Sequence, residues 1–210
     1  MKTLKRKENG LLLSILLILV FSISINTSEL KAQIKEEAKS LAPFVPTPYE
    51  IVQKMLEIAE VKKTDVVYDL GCGDGRIVAT AAEKFGAHAV GVDYDPQRVA
   101  EANETVKSKK VEKLVKIVYQ DIMKVDLSPA TVVTLYLLES SNALLQPNLE
   151  KYLKPGSRVV SHDFSMRGWT PKKVETVQDN DGDEHTIYLW IMGQQKQGEP
   201  AKPAKKTRKE

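Results

Sequence analysis

The chain has 210 residues, 42% of them hydrophobic and 28% charged, with a formal net charge of +3 and a single cysteine. That length suits one domain of ordinary size plus extensions, with enough apolar residues for a packed core. No global basic field points to nucleic acid as a partner, and one cysteine cannot form an internal disulfide.

Lys2, Lys5, Arg6 and Lys7 precede an apolar run over residues 11–25. As a helix, those fifteen residues would span about 22 Å, short of the roughly 30 Å of a bilayer's hydrocarbon core. Extension through Asn26, Thr27 and Ser28 makes a marginal anchor. The basic start and short apolar stretch, followed by Leu30-Lys31-Ala32, also fit a secretory signal peptide. A buried core helix is disfavoured by the terminal position and the flanking charges. Residues 1–33 are therefore set apart as a signal peptide or membrane anchor, which predicts a membrane-anchored or exported protein.

Residues 34–193 read as the folded domain. Thr47 as N-cap and Pro48 in the first turn open an amphipathic helix carrying Ile51, Val52, Met55, Leu56 and Ile58. A strand over 65–70 feeds a glycine-rich turn and a helix over 76–85. The next strand covers 88–92, and Asp95-Pro96 opens a helix to about Lys109. Strands follow over 115–119 and 131–138, then a helix over 142–153 stopped by Lys154-Pro155-Gly156. A fifth strand begins at Arg158. Segments 174–178 and 185–192, joined by Asn180-Asp181-Gly182-Asp183, read as a closing antiparallel hairpin. Alternating strands and helices imply an α/β fold with a mostly parallel sheet covered by helices on both faces. Residues 194–210 are rich in lysine, proline and glutamine with no apolar residue larger than alanine, and predict a disordered basic tail.

The most informative segment is Asp69-Leu70-Gly71-Cys72-Gly73-Asp74-Gly75-Arg76. Glycine at three alternate positions lets the backbone turn sharply and approach a ligand that a Cβ would push away. The helix beyond presents unpaired N–H groups and a positive dipole end. Asp93, ending the next strand, falls 22 residues after Gly71, where nucleotide-binding βαβ units place a ribose-binding carboxylate. The dinucleotide pattern G-x-G-x-x-G fails, because Gly75 comes one position early and Arg76 takes the place of glycine. No G-x-x-x-x-G-K-[ST] phosphate loop is present either. Asp69 and Asp74 would repel a pyrophosphate, and both suit a ligand bearing an ammonium and a sulfonium.

This pattern resembles the first motif of class I S-adenosylmethionine-dependent methyltransferases. Asp93 matches their ribose-binding acid, and Val118-Tyr119-Gln120-Asp121-Ile122 matches the strand whose terminal acid approaches the adenine. The resemblance implies a Rossmann-like, seven-stranded sheet whose last strand runs antiparallel, and S-adenosylmethionine as cofactor. The candidate cofactor-binding residues are Pro46, Thr47, Asp69, Gly71, Cys72, Gly73, Asp74, Gly75, Asp93, Tyr94, Asp121 and Ile122. Taken singly, Asp93 and Asp121 are also readable as solvated strand-end acids, and Cys72 as a small filler in the turn.

On the acceptor side, Leu135-Tyr136-Leu137-Leu138-Glu139-Ser140-Ser141-Asn142 stands where adenine and amide methyltransferases often carry D/N-P-P-Y/F, and that subclass is disfavoured. Glu139 beside Tyr136 is the candidate catalytic pair, orienting a substrate ammonium and helping it lose its proton. The alternative makes Tyr136 a sheet-packing residue and Glu139 a solvated cap. His88, His162 and His185 lie apart in sequence, so no metal site is expected.

Pro43-Phe44-Val45-Pro46-Thr47-Pro48-Tyr49 together with Val160-Ser161-His162-Asp163-Phe164 is similar to a smaller family. It comprises lysine methyltransferases of the ATP synthase c-subunit and adenine nucleotide translocase, with their prokaryotic relatives. The resemblance implies that the Pro46-Thr47 loop folds over the cofactor. It also implies a protein lysine as acceptor, with a membrane protein as one option; the signal-like start, without mitochondrial presequence features, points to a bacterial relative, and a monomer is expected. A small-molecule methyltransferase and a non-catalytic S-adenosylmethionine-binding protein are the alternatives. Basic residues before the apolar run favour a cytoplasmic N-terminus and a domain sent across the membrane, whereas S-adenosylmethionine is made in the cytosol. The side of the membrane stays open.

Overall fold

A computed structural model describes residues 41–195, all within the compact unit Ser40–Glu210. Four helices and seven strands make up this part. They are α1 (Tyr49–Ile58), β1 (Val66–Leu70), α2 (Arg76–Phe85), β2 (His88–Asp93), α3 (Pro96–Ser108), β3 (Val115–Tyr119), β4 (Val132–Leu135), α4 (Glu139–Tyr152), β5 (Arg158–His162), β6 (Lys173–Gln178) and β7 (Glu184–Ile191). The strands form one sheet in the order β3-β2-β1-β4-β5-β7-β6. The first five are parallel, and β7 runs antiparallel to both β5 and β6. The seven-stranded, mostly parallel architecture expected from the sequence is the one observed.

Strand alternation builds two cores, one on each sheet face. Val67, Val132, Val160, Ile187 and Leu189 point to the side packed by α1, α2 and Val106 of α3. Leu70, Val133, Leu135, Val159 and Trp190 point to the other, where Leu145 and Leu149 of α4 meet Trp169 and Met166. The chain leaves β1 for β2 on one side and returns to β4 on the other, so the C-terminal ends of β1 and β4 flank a crevice where open α/β sheets bind ligands.

Local signals account for most boundaries. Asp95 caps α3 by accepting from Gln97 N at 2.8 Å, with Pro96 in the first turn. Gly86, at φ 67°, ends α2.

Two expectations need correction. Pro48, not Thr47, is the N-cap of α1, and no side chain caps it; the Thr47 hydroxyl instead meets the buried His162 at 3.2 Å. Strand β4 stops at Leu135 rather than Leu138, because its partner β1 ends at Leu70, directly across from Leu135. Leu138 then caps α4, its carbonyl accepting from Ser141 N and Asn142 N at 2.9 Å each, so the helix starts three residues earlier than expected.

The expected membrane-anchored or exported location is also corrected. Among the described residues no helix is long and apolar enough to cross a membrane. The longest of them, α4 with 14 residues, reaches only about 21 Å. The apolar run over 11–25, the domain boundary at residue 33 and most of the basic tail lie outside the described residues.

At the N-terminal end of the parallel strands, remote from the crevice, Arg158 ties three elements together. It donates to Ala59 O at 2.9 Å, to Glu60 O at 3.0 Å and to the Asp65 carboxylate. Asp65 also accepts from Thr131 Oγ1 at 2.8 Å and from Lys62 N at 2.7 Å. Burial alone would raise the Asp65 carboxyl, but Arg158, Lys62 N–H and Thr131 together hold it below its ordinary value. Arg158→Met should therefore destabilise the fold by roughly 2–3 kcal/mol at pH 7 in urea denaturation. Because a depressed folded pKa contributes stability only above the unfolded value, the difference should shrink as pH falls below about 4.

Candidate active site

The glycine loop between β1 and α2 is hung from its neighbours. Gly71 N and Cys72 N both donate to Val92 O, at 2.9 and 3.0 Å, and Gly75 N donates to Cys72 O at 2.9 Å. Gly73 has φ +54°, and a Cβ there would fall 2.5 Å from the Phe44 ring, so any side chain would collide with the segment lying over the loop. Asp93, 7% exposed, fastens the loop to the end of β2: it accepts from Gly73 N and from Asp95 N, each at 3.0 Å. Cys72 is buried, and its thiol is pushed up by burial and by Asp69 and Asp93, which leaves it inert as a nucleophile.

Asp69 is the unusual member. It is 2% exposed at the mouth end of β1. Oδ1 accepts from Thr134 Oγ1 at 2.6 Å, while Oδ2 is buried with no hydrogen-bond partner among the described residues. Burial raises its carboxyl to about 7, with Thr134 opposing and the charges of Asp93 and Asp74 adding to the rise. A buried carboxylate with an idle oxygen is complementary to a cationic ligand group.

Asp74, by contrast, is engaged by Arg76, whose Nε lies 3.0 and 3.1 Å and whose Nη2 lies 2.6 Å from its oxygens. Arg76 Nη1 also donates to Thr47 O at 2.8 Å, and its guanidinium sits 4.9 Å from the centre of the Tyr49 ring. Arg98 lies 4.3 Å from the centre of the Phe44 ring, and Ser141 Oγ donates to Leu41 O. Two arginines and a serine thus strap the segment containing Pro46 and Thr47 against the loop. Pro46 is exposed and Thr47 is 3% exposed. Beyond β3, Asp121 caps a short 3-10 turn over Ile122–Lys124 by accepting from Met123 N at 2.9 Å; Ile122 is buried and Tyr94 half-buried.

The two acceptor-side residues differ in their surroundings. The Tyr136 ring packs on His162, centroids 3.9 Å apart, with Phe164 at 6.3 Å. Glu139 is exposed as the first residue of α4. Two of the three histidines that lie apart in sequence meet, while His88 is exposed at the start of β2. His162 Nε2 lies 2.8 Å from His185 Nδ1, and Asp163 Oδ2 lies 3.4 and 3.6 Å from those nitrogens. Sequence reading missed this cluster because the register of β5 on β7 sets it, His162 facing Ile187 two residues from His185. It also missed Thr134 and Arg76; the available signal for Arg76 was its place directly after the last loop glycine.

These residues fit S-adenosylmethionine: an idle buried oxygen for an ammonium, a glycine cradle closed to any Cβ, and an acid at the end of β2. Sheet order, loop and strand-end acids define a class I S-adenosylmethionine-dependent methyltransferase. The ANTKMT methyltransferase domain matches residues 69–173. A protein-lysine N-methyltransferase from Saccharolobus islandicus is 50% identical over 155 residues, covering 73% of this chain and 96% of that one. The human lysine N-methyltransferase of the ATP synthase c-subunit is 30% identical over 136 residues, covering 65% of this chain and 58% of the human protein. The crystal structure of an RNA methyltransferase from Salinibacter ruber with S-adenosyl-L-homocysteine is 45% identical at a TM-score of 0.66, covering 76% of this chain and 99% of that one. The chain belongs to the ANTKMT methyltransferase domain family and uses S-adenosylmethionine as its cofactor.

The Asp69 environment has a measurable consequence without any ligand. Its folded pKa, about 7, stands above the ordinary carboxyl value of 3.8, so the folded chain keeps a proton that the unfolded chain releases. This contribution to stability is fully present below about pH 4 and is lost as pH rises to about 7. Cofactor-free Asp69→Asn should match the parent near pH 4 and exceed it by about 2–4 kcal/mol at pH 8 in chemical denaturation.

Proposed function

We propose that the protein transfers the methyl group of S-adenosylmethionine to a lysine side-chain amine of a protein acceptor. The reading rests chiefly on the near end-to-end likeness to the Saccharolobus protein-lysine N-methyltransferase, 50% identical across 96% of its length. The mouth of the site agrees with it. Tyr136 and His162 form an aromatic wall beside the strap, and Glu139 stands at the rim, where a carboxylate would draw in a cationic side chain.

When bound, the cofactor supplies a methyl group activated on a sulfonium. Asp69 Oδ2 would take its ammonium, Asp93 its ribose hydroxyls through lone pairs left beyond the two N–H bonds, and Asp121 with Ile122 its adenine edge. The backbone of Gly71–Gly75 gives close approach, and Pro46 and Thr47 cover the whole. Asp74 would act at one remove by holding Arg76, which anchors Thr47. The remaining task is to orient the acceptor's lone pair in line with the methyl carbon and to exclude water.

RNA is the second acceptor class, named for the Salinibacter ruber relative at 45% identity. A net charge of only +3 argues for protein instead. Incubating the full chain and methyl-labelled S-adenosylmethionine with soluble and membrane extracts should yield labelled methyllysine after hydrolysis of the protein fraction. Label confined to RNA, or to small molecules, would sink the proposal. Asp69→Asn should weaken S-adenosylmethionine binding by roughly 30-fold in calorimetry, the equivalent of about 2 kcal/mol for a lost charged hydrogen bond.

A further inference from the structure

We propose that Thr47, His162 and His185 form a proton relay that carries the acceptor amine's proton from the methyl-transfer site to the hairpin turn at Asp179. The inference rests on the reading of a lysine acceptor. A lysine amine with an ordinary pKa of about 10.4 is protonated at neutral pH and has no lone pair to offer. A site closed against water therefore needs an exit for that proton.

Hydrogen-bond roles along the chain follow from its outer end. Asp179 is a carboxylate and only accepts, so His185 Nε2, 3.1 Å from Asp179 Oδ2, carries a hydrogen. A neutral imidazole has one N–H, so His185 Nδ1 has a lone pair and accepts from His162 Nε2–H at 2.8 Å. That leaves His162 Nδ1 as an acceptor for the Thr47 hydroxyl at 3.2 Å. Every link points the same way, outward. The inner end is buried, with Thr47 3% and His162 0% exposed. The outer end is the exposed turn at Asn180–Asp183.

Burial holds the His162 imidazole down, to about 4, with His185 also lowering it and Asp163 opposing, so His162 conducts a proton without storing one. The outer imidazole of the chain is His185. It lies between Asp179, whose other oxygen accepts from Asp181 N and Asp183 N, and Asp163, whose Oδ1 is fixed by Thr186 N at 2.8 Å. Tyr136 stacks on His162, the Tyr188 hydroxyl feels Asp163 and Glu139, and Glu50 of α1 accepts from Asn180 N at the turn. Asp163 and Asp179 thus flank the two nitrogens of His185.

The transfer balances. The amine proton passes to Thr47 Oγ1 as the hydroxyl proton passes to His162 Nδ1. His162 Nε2 releases its own proton to His185 Nδ1, and His185 Nε2 passes its proton to Asp179 Oδ2, 3.1 Å away, which yields it to solvent at the turn. The same three groups, His162, Asp163 and His185, invite comparison with a metal site. However, two nitrogens on one tetrahedral zinc stand about 3.4 Å apart, whereas these are 2.8 Å apart and share a proton.

The test is the initial rate of methyllysine formation in total extract protein from pH 6 to 10, for the full chain and for His185→Gln. The variant should be slower by about tenfold or more at pH 7 and within about twofold at pH 10, where a substantial fraction of the amine is already free of its proton. Calorimetric affinity for S-adenosylmethionine should be unchanged. A loss equal at all pH values overturns the relay alone; no methyllysine from the parent protein overturns the lysine reading and the relay with it. Imidazole nitrogen NMR of the unsubstituted full chain should show Nε2–H tautomers for both histidines. A His162 Nδ1–H tautomer, or stoichiometric zinc by elemental analysis, would overturn the assignment.

Discussion

Burying the Asp69 carboxylate costs free energy, and the protein recovers only part of it. Thr134 on the adjacent strand satisfies one oxygen, and the other faces no donor among the described residues. The nearby Asp93 and Asp74 add to the strain. A fold selected for stability alone would place an amide or an apolar residue here. The retained charge makes sense as the complement of a cationic ligand group, because the same low-polarity surroundings that penalise the bare carboxylate strengthen its interaction with an ammonium. Much of the site is arranged around this position: β1 ends there, β4 supplies Thr134, and the glycine loop turns away directly after it.

The strap over the loop is a second level of organisation. Phe44 sits where a Gly73 side chain would be, Arg76 grips Thr47 through its main chain, and Arg98 backs Phe44. Phe44, Val45 and Tyr49 are nevertheless 47–54% exposed. The segment is thus held by a few cation–π and hydrogen-bond contacts rather than by burial. Those contacts put the Thr47 hydroxyl beside His162 and join the cofactor side of the crevice to the β5–β7 side.

Some features were readable from local pattern because their causes are local. Glycines at 71, 73 and 75 followed by a helix specify a loop, whatever the rest of the chain does. Asp95-Pro96 starts a helix because capping and a fixed φ act within four residues. The end of β4 was misplaced because nothing in Leu135-Tyr136-Leu137-Leu138 says where the strand stops; the length of its neighbour β1 decides it. Thr47 was misread for a related reason, since a threonine before Pro48 looks like a cap until a histidine 115 residues away claims its hydroxyl.

The amino-acid sequence by itself determined the fold class and the position of the glycine loop, since these rest on periodicity and on residues close in the chain, and the resemblance of its motifs to those of methyltransferases implied the cofactor. Only the tertiary structure decided which groups face one another across the crevice. It left one Asp69 oxygen idle, set the Thr47 hydroxyl against His162 and joined His162 to His185 and Asp179. The physical reason is that hydrogen bonds and charge pairs between distant segments depend on strand register and burial, which no local pattern encodes.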